Sequence, residues 1–104
     1  MSDTDDAKAA ANKAKKALEA VGSALQEMNE ATTKAQIDAA YAKVEPQVTT
    51  AREQAAKALE SSIKANTADA DDAADRARDD AAKAQESVPV AKELLDRRRP
   101  ALPD

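Results

Sequence analysis

Apolar residues recur along this chain at steps of three and four, and most of them are too small to fill a wide core. Ala7, Ala11, Ala14, Leu18, Val21, Leu25 and Met28 form the first stripe. Ile37, Tyr41, Val44, Val48, Ala51, Ala55, Leu59 and Ile63 form the second. Ala70, Ala74, Ala77, Ala81, Ala84, Val88, Ala91 and Leu95 form the third. Such steps put side chains on one face of an α-helix, and their alternation makes a coiled-coil-like heptad seam. Of the 104 residues 28 are alanine, the strongest helix former, and the one glycine leaves little to oppose helix.

The junctions between stripes predict the architecture. From Met28 to Ile37 is nine residues, which would rotate the second stripe to the far side of a continuous helix. A turn near 31–33 restores one inward face, and Thr33-Lys-Ala-Gln36 is a capping box at that place. The second and third stripes stay in phase, so the break there rests on Asn66-Thr67 followed by Asp69, Asp71 and Asp72. Pro46 and Pro89 fall inside stripes whose phase continues through them, which predicts kinked helices rather than loops. The expected fold is therefore all-α: an antiparallel up-down-up three-helix bundle with alanine-rich seams and proline kinks in its second and third helices. Its helices lie near 5–31, 34–64 and 68–98 within a single domain over 1–99, and a mobile tail follows over 100–104. Residues 68–87 offer a core alanine alone, which predicts the least stable part of the bundle unless another chain covers it.

Much chemistry is missing from the residue set. Without histidine or cysteine there is no Ser–His or Cys–His nucleophile, no thiolate metal site and no disulfide. One glycine cannot build a phosphate-cradling loop. Asp69, Asp71, Asp75 and Asp80 match positions of a calcium loop, but Ala74 stands where the sharp turn needs glycine. These aspartates read instead as a helix N-terminus and a solvated face. No enzyme activity, cofactor or metal is expected. A net charge of −4 disfavours nucleic acid, and short alanine-rich apolar stretches disfavour membrane insertion. The acidic start, Met-Ser-Asp-Thr-Asp-Asp, lacks a secretory apolar run. The expected address is cytoplasmic, with signal-less secretion left open.

Three features stand out as candidate protein-binding residues. Arg97, Arg98 and Arg99 exceed what one helix dipole needs and suggest a docking point for an acidic partner. Ala74, Ala77 and Ala81 lie in the alanine-only seam, where a partner helix could approach closely. Tyr41, the lone aromatic, is expected in the core with its hydroxyl at the edge.

Two resemblances accompany these readings. Tyr41-Ala-Lys-Val-Glu45 resembles the Tyr-x-x-x-Asp/Glu pattern of type VII secretion substrates, small helical proteins, although it lies mid-chain and no Trp-x-Gly is present. Ala7-Lys-Ala-Ala-Ala-Asn-Lys-Ala-Lys-Lys16 is similar in composition to late-embryogenesis-abundant proteins, which implies a stress-protective chain disordered until dried or bound. Those proteins repeat every eleven residues, whereas this chain keeps sevens, which favours a constitutive bundle. The leading expectation is a non-enzymatic helical bundle that binds a protein partner, or itself, through a helix face.

Overall fold

The computed structural model describes residues 2–104, and their regular structure is entirely helical. Helix α1 spans Asp3–Glu30, α2 Lys34–Tyr41, α3 Val44–Ala65 and α4 Ala68–Arg98, with a 3-10 turn at Arg99–Ala101. The three long helices pack against one another in a slender body of 54 × 21 × 15 Å.

Helices α1, α2 and α4 start where the sequence supplies a side-chain cap, whereas α3 starts at Val44 without one. The Asp5 amide donates to Ser2 Oγ at 3.1 Å, and Asp3, Asp5 and Asp6 complement the N-terminus of α1. The Gln36 amide donates to Thr33 Oγ1 at 3.2 Å to begin α2. The reciprocal bond of the capping box is shifted by one residue, since Gln36 Oε1 accepts from the Thr32 amide at 2.8 Å. Asn66 ends α3 in the left-handed conformation, at φ 51°, which asparagine tolerates better than most residues. Thr67 then caps α4 by accepting from the Ala70 amide at 3.2 Å.

One expected helix is two. The sequence predicts a kinked helix over 34–64, but α2 stops at Tyr41 and α3 starts at Val44. Pro46 causes the interruption: it has no amide to donate to the carbonyl four residues back, and its ring crowds that carbonyl, which belongs to Ala42. Ala42 and Lys43 keep near-helical angles, with φ/ψ of −61/−19° and −81/−16°. That near-helical link explains why the stripe holds its phase across a break. By contrast, α4 runs through Pro89 as one helix.

The core divides into unlike halves. One contains Met28, Ile37, Val21 and Val44 among alanines, with Leu18, Leu25, Tyr41, Val88, Leu95 and Leu102 packed at its margins. The buried apolar residues of the other half are all alanine: Ala7, Ala10, Ala11 and Ala14 of α1, Ala58 of α3, and Ala70, Ala73, Ala74 and Ala77 of α4. The alanine-only seam of α4 is thus covered from inside the chain, by α1 and α3, and needs no second chain to cover it.

Alanine packing also changes the inward register of α3. The sequence puts Leu59 and Ile63 in the seam, but they are 56% and 72% exposed. Ala58 and Ser62 are buried in their place, continuing the strict three–four alternation from Ala51 and Ala55. Ser62 Oγ is hydrogen-bonded to Asp71 Oδ1 at 2.5 Å, so its burial leaves no hydroxyl unpaired.

The register gives an inverted size rule for stability. Ala58→Leu should cost about 1–3 kcal/mol by overpacking. Leu59→Ala, an exposed truncation, should stay within about 0.5 kcal/mol. Urea unfolding of the two variants checks this, and the reverse order would place Leu59 in the core.

Candidate functional site

The arginine run divides its labour. Arg98, half-buried, donates from Nη1 to the Met28 carbonyl and from Nη2 to the Ala31 carbonyl, the latter at 3.0 Å. These carbonyls lie at the C-terminus of α1, where unpaired C=O groups and the helix dipole favour a cation. Arg99 forks onto Asp38 of α2, with Nε–Oδ1 at 2.8 Å and Nη2–Oδ2 at 3.1 Å. Arg97 is exposed and has no ion pair among the described residues. Two of the three arginines expected to meet an acidic partner are therefore engaged within the chain.

The tail over 100–104, expected to be mobile, makes contacts with the start of α2. The Lys34 amide donates to the Pro103 carbonyl at 2.9 Å, and Lys34 Nζ lies 3.2 Å from Asp104. Leu102 packs on the larger-residue half of the core. Pro100 cannot continue α4, and the resulting 3-10 turn directs the chain back across the start of α2.

The remaining candidates fall elsewhere. Ala74, Ala77 and Ala81 are only 6%, 0% and 8% exposed, so they are chiefly core residues. Tyr41 is half-buried at the edge of the core and borders a shallow hollow with Glu45, Pro46 and Thr49. The structure brings Arg98 and Arg99 together at one end of the bundle but unites neither with Tyr41 nor with the alanine seam in one site.

What sequence reasoning missed is an apolar stripe on the outside. Ala56, Leu59 and Ile63 occupy the outer face of α3, all exposed. Beside them Ala55, Ala56 and Leu59 meet Ala74, Asp75 and Arg78 of α4 in a shallow groove. The signal was present in the spacing, because strict alternation after Ala55 selects Ala58 and Ser62. Residue size pulled the reading toward the larger Leu59 and Ile63.

A second trough, between α1 and α4, is lined by Lys15, Glu19, Arg76, Asp79, Asp80 and Lys83, a mixed-charge surface open to water. Among the described residues no three metal-ligating side chains converge. No helix among them is long and apolar enough to cross a membrane.

The cation contacts at the tail give two expectations. Arg98→Ala strands the Met28 and Ala31 carbonyls and should cost about 1–3 kcal/mol, whereas exposed Arg97→Ala should change stability by less than about 0.5 kcal/mol. Urea titration of both variants compares them. The second concerns pH. The hydrogen bonds from Arg99, aided by its charge, hold the Asp38 carboxyl below its ordinary 3.8, while the same pairing raises Arg99. A depressed acid stabilises the folded state fully above its unfolded value and loses that contribution as pH falls through the folded one. The Arg99 Nε–H resonance, which reports the bond to Asp38, should therefore shift below pH 3.8. In Asp38→Asn that acid-range shift should disappear.

No protein-family model matches this chain, and comparisons with curated proteins and with solved structures return no match.

Proposed function

We propose that this chain is a non-enzymatic helical bundle that works by docking a protein partner on the outer face of α3. Contacts at both ends support an up-down-up arrangement of α1, α3 and α4. At one end Thr4 Oγ1 lies 2.9 Å from Thr67 Oγ1, and Lys8 lies 3.8 Å from Asp69. At the other, Arg98 reaches Met28 and Ala31, and Lys43 pairs with Glu27 at 3.1 Å. Alanine-rich contacts at near-heptad spacing support a coiled-coil-like packing of those helices.

The observation that carries the docking reading is the exposure of Leu59 and Ile63. A small bundle short of large apolar residues places two of its thirteen Leu, Ile and Val side chains together on one outer helix face. Single exposed leucines are ordinary, but paired ones at helical spacing beside an apolar groove suit helix-in-groove recognition. The non-enzymatic part of the reading is supported by the lack of histidine and cysteine and by hollows that are open and charged. Arg97, which has no ion pair among the described residues, lies on another helix and is outside the proposed surface.

The test is a photo-cross-linking residue, p-benzoylphenylalanine, placed at Ile63 and, as control, at exposed Lys13 of α1. Irradiation in the cells that make the protein should yield a discrete adduct from position 63 and none from position 13. Adducts equal in yield from both positions, or absent from both, overturn the docking reading.

A further inference from the structure

The charges beside the apolar stripe follow an order that suits one particular occupant. Arg52, Ala56, Leu59 and Ile63 run along the outer face of α3 at steps of four, three and four. One residue further on, Glu53, Lys57, Glu60 and Lys64 repeat the same steps as a flanking row, and all four are exposed. Read forward the row is acid, base, acid, base; read backward it is base, acid, base, acid. The step pattern is the same in both directions. Such a row is complementary to an antiparallel copy of itself at every position. We propose that the occupant of this face is a second copy of this chain, with α3 lying antiparallel to α3 across a two-fold axis.

The axis passes between the two copies of α3, at right angles to them and level with the link between Ala58 and Leu59. Glu53 then faces Lys64 of the second copy, and Lys57 faces Glu60, each pair occurring twice by symmetry. Within the chain Glu60 and Lys64 lie 3.3 Å apart, whereas Glu53 and Lys57 make no ion pair with each other among the described residues. The half of the row nearer α2 therefore retains charges for another chain.

The apolar side chains fit the same axis. Leu59 sits beside it and meets Leu59 of the second copy. Ile63 falls between Ala56 and the aliphatic stem of Arg52, large residue against small, as knobs fit holes.

The opposite flank, supplied by α4, agrees independently. The Ser62–Asp71 hydrogen bond fixes the level of α4 against α3. It places Asp71 level with Ser62, and Arg78 level with Ala55, which it adjoins in the groove. Those two levels are exchanged by the axis, so Asp71 faces Arg78 of the second copy on each side. Asp75 lies near the axis opposite its own counterpart, an unfavourable pair that Arg78, 3.9 Å away, offsets. Charges on both flanks thus specify one register, while Leu59 and Ile63 provide the contact.

Two exposed apolar side chains per copy make less than the interface of a permanent dimer, and exposed ion pairs contribute little each. The association is consequently weak and salt-sensitive, with orientation set by charge. The inference rests on the docking reading above and names its occupant.

Sedimentation equilibrium over micromolar to millimolar concentrations tests it, with far-ultraviolet circular dichroism confirming helicity of each variant. The wild-type chain should show a reversible monomer–dimer equilibrium, weakened several-fold by added salt. Lys57→Glu with Lys64→Glu makes the row wholly acidic, and Glu53→Lys with Glu60→Lys makes it wholly basic. Each double variant alone should dimerise at least tenfold more weakly, and an equimolar mixture should restore association. Leu59→Cys supplies a readout in an otherwise cysteine-free chain. It should oxidise to a linked dimer at least tenfold faster than Val90→Cys on α4, also exposed. A wild-type chain monomeric at millimolar concentration overturns the inference, as does a mixture that fails to reassociate, or equal oxidation of the two cysteine variants. The position 63 adduct separates the two readings. Twice the chain's own mass supports the second copy; another mass removes the second copy and keeps docking; absence of any adduct removes both.

Discussion

Alanine against alanine is the contact on which the rest of this molecule depends. In the half of the bundle formed by Ala7–Ala14, Ala58 and Ala70–Ala77, no buried apolar side chain reaches beyond Cβ. Side chains that small permit close helix approach, since the residues at the contact set the distance between helix axes. A leucine cannot enter such a seam without displacing a helix, which costs more than its own burial returns. The exposure of Leu59 and Ile63 follows directly, and so does the surface on which the proposed contact forms. Toward the other end Met28, Ile37 and Val44 fill a wider interior, and the side chains of Leu18, Leu25 and Leu95 close around it.

That end also relies on polar ties between α1, α2 and the C-terminal residues. Helix α2 has only 8 residues, too few to persist without tertiary support. Its start is held by Thr33 and by Lys34 contacts with Pro103 and Asp104, and its middle by Asp38 on Arg99. Arg98 meanwhile serves the C-terminus of α1 from the last turn of α4. Three consecutive arginines thus contribute unequally, because successive helix positions point about a third of a turn apart. One reaches α1, one reaches α2, and Arg97 faces water.

The turns were the most legible part of the fold. Thr33 and Gln36 announce the start of α2 through local hydrogen bonds, and Asn66 and Thr67 do the same between α3 and α4. Local chemistry of this kind is written within a few neighbouring residues. The break before Pro46 was less legible, since near-helical angles at Ala42 and Lys43 preserve the phase of the stripe. The tail was illegible for a different reason. Its partners, Lys34 and the core beneath Leu102, are distant in sequence, and nothing within Pro100–Asp104 signals them. The arginines stood out in the sequence as a docking point, and two of them, Arg98 and Arg99, engage this chain's own carbonyls and Asp38.

By itself the sequence determined that the chain is helical, where its principal turns fall, and which chemistry its side chains cannot perform. Propensity, capping and residue identity are local properties, so they are readable without coordinates. Tertiary structure alone decided which face of α3 points inward, that the alanine seam of α4 is covered from within, and where Arg98 and Arg99 are engaged. Periodicity shows which residues share a face, but adjacent faces of α3 both carry a plausible stripe. Choosing between them requires knowing how closely the neighbouring helices approach, and that distance is set by alanines on α1 and α4 far along the chain.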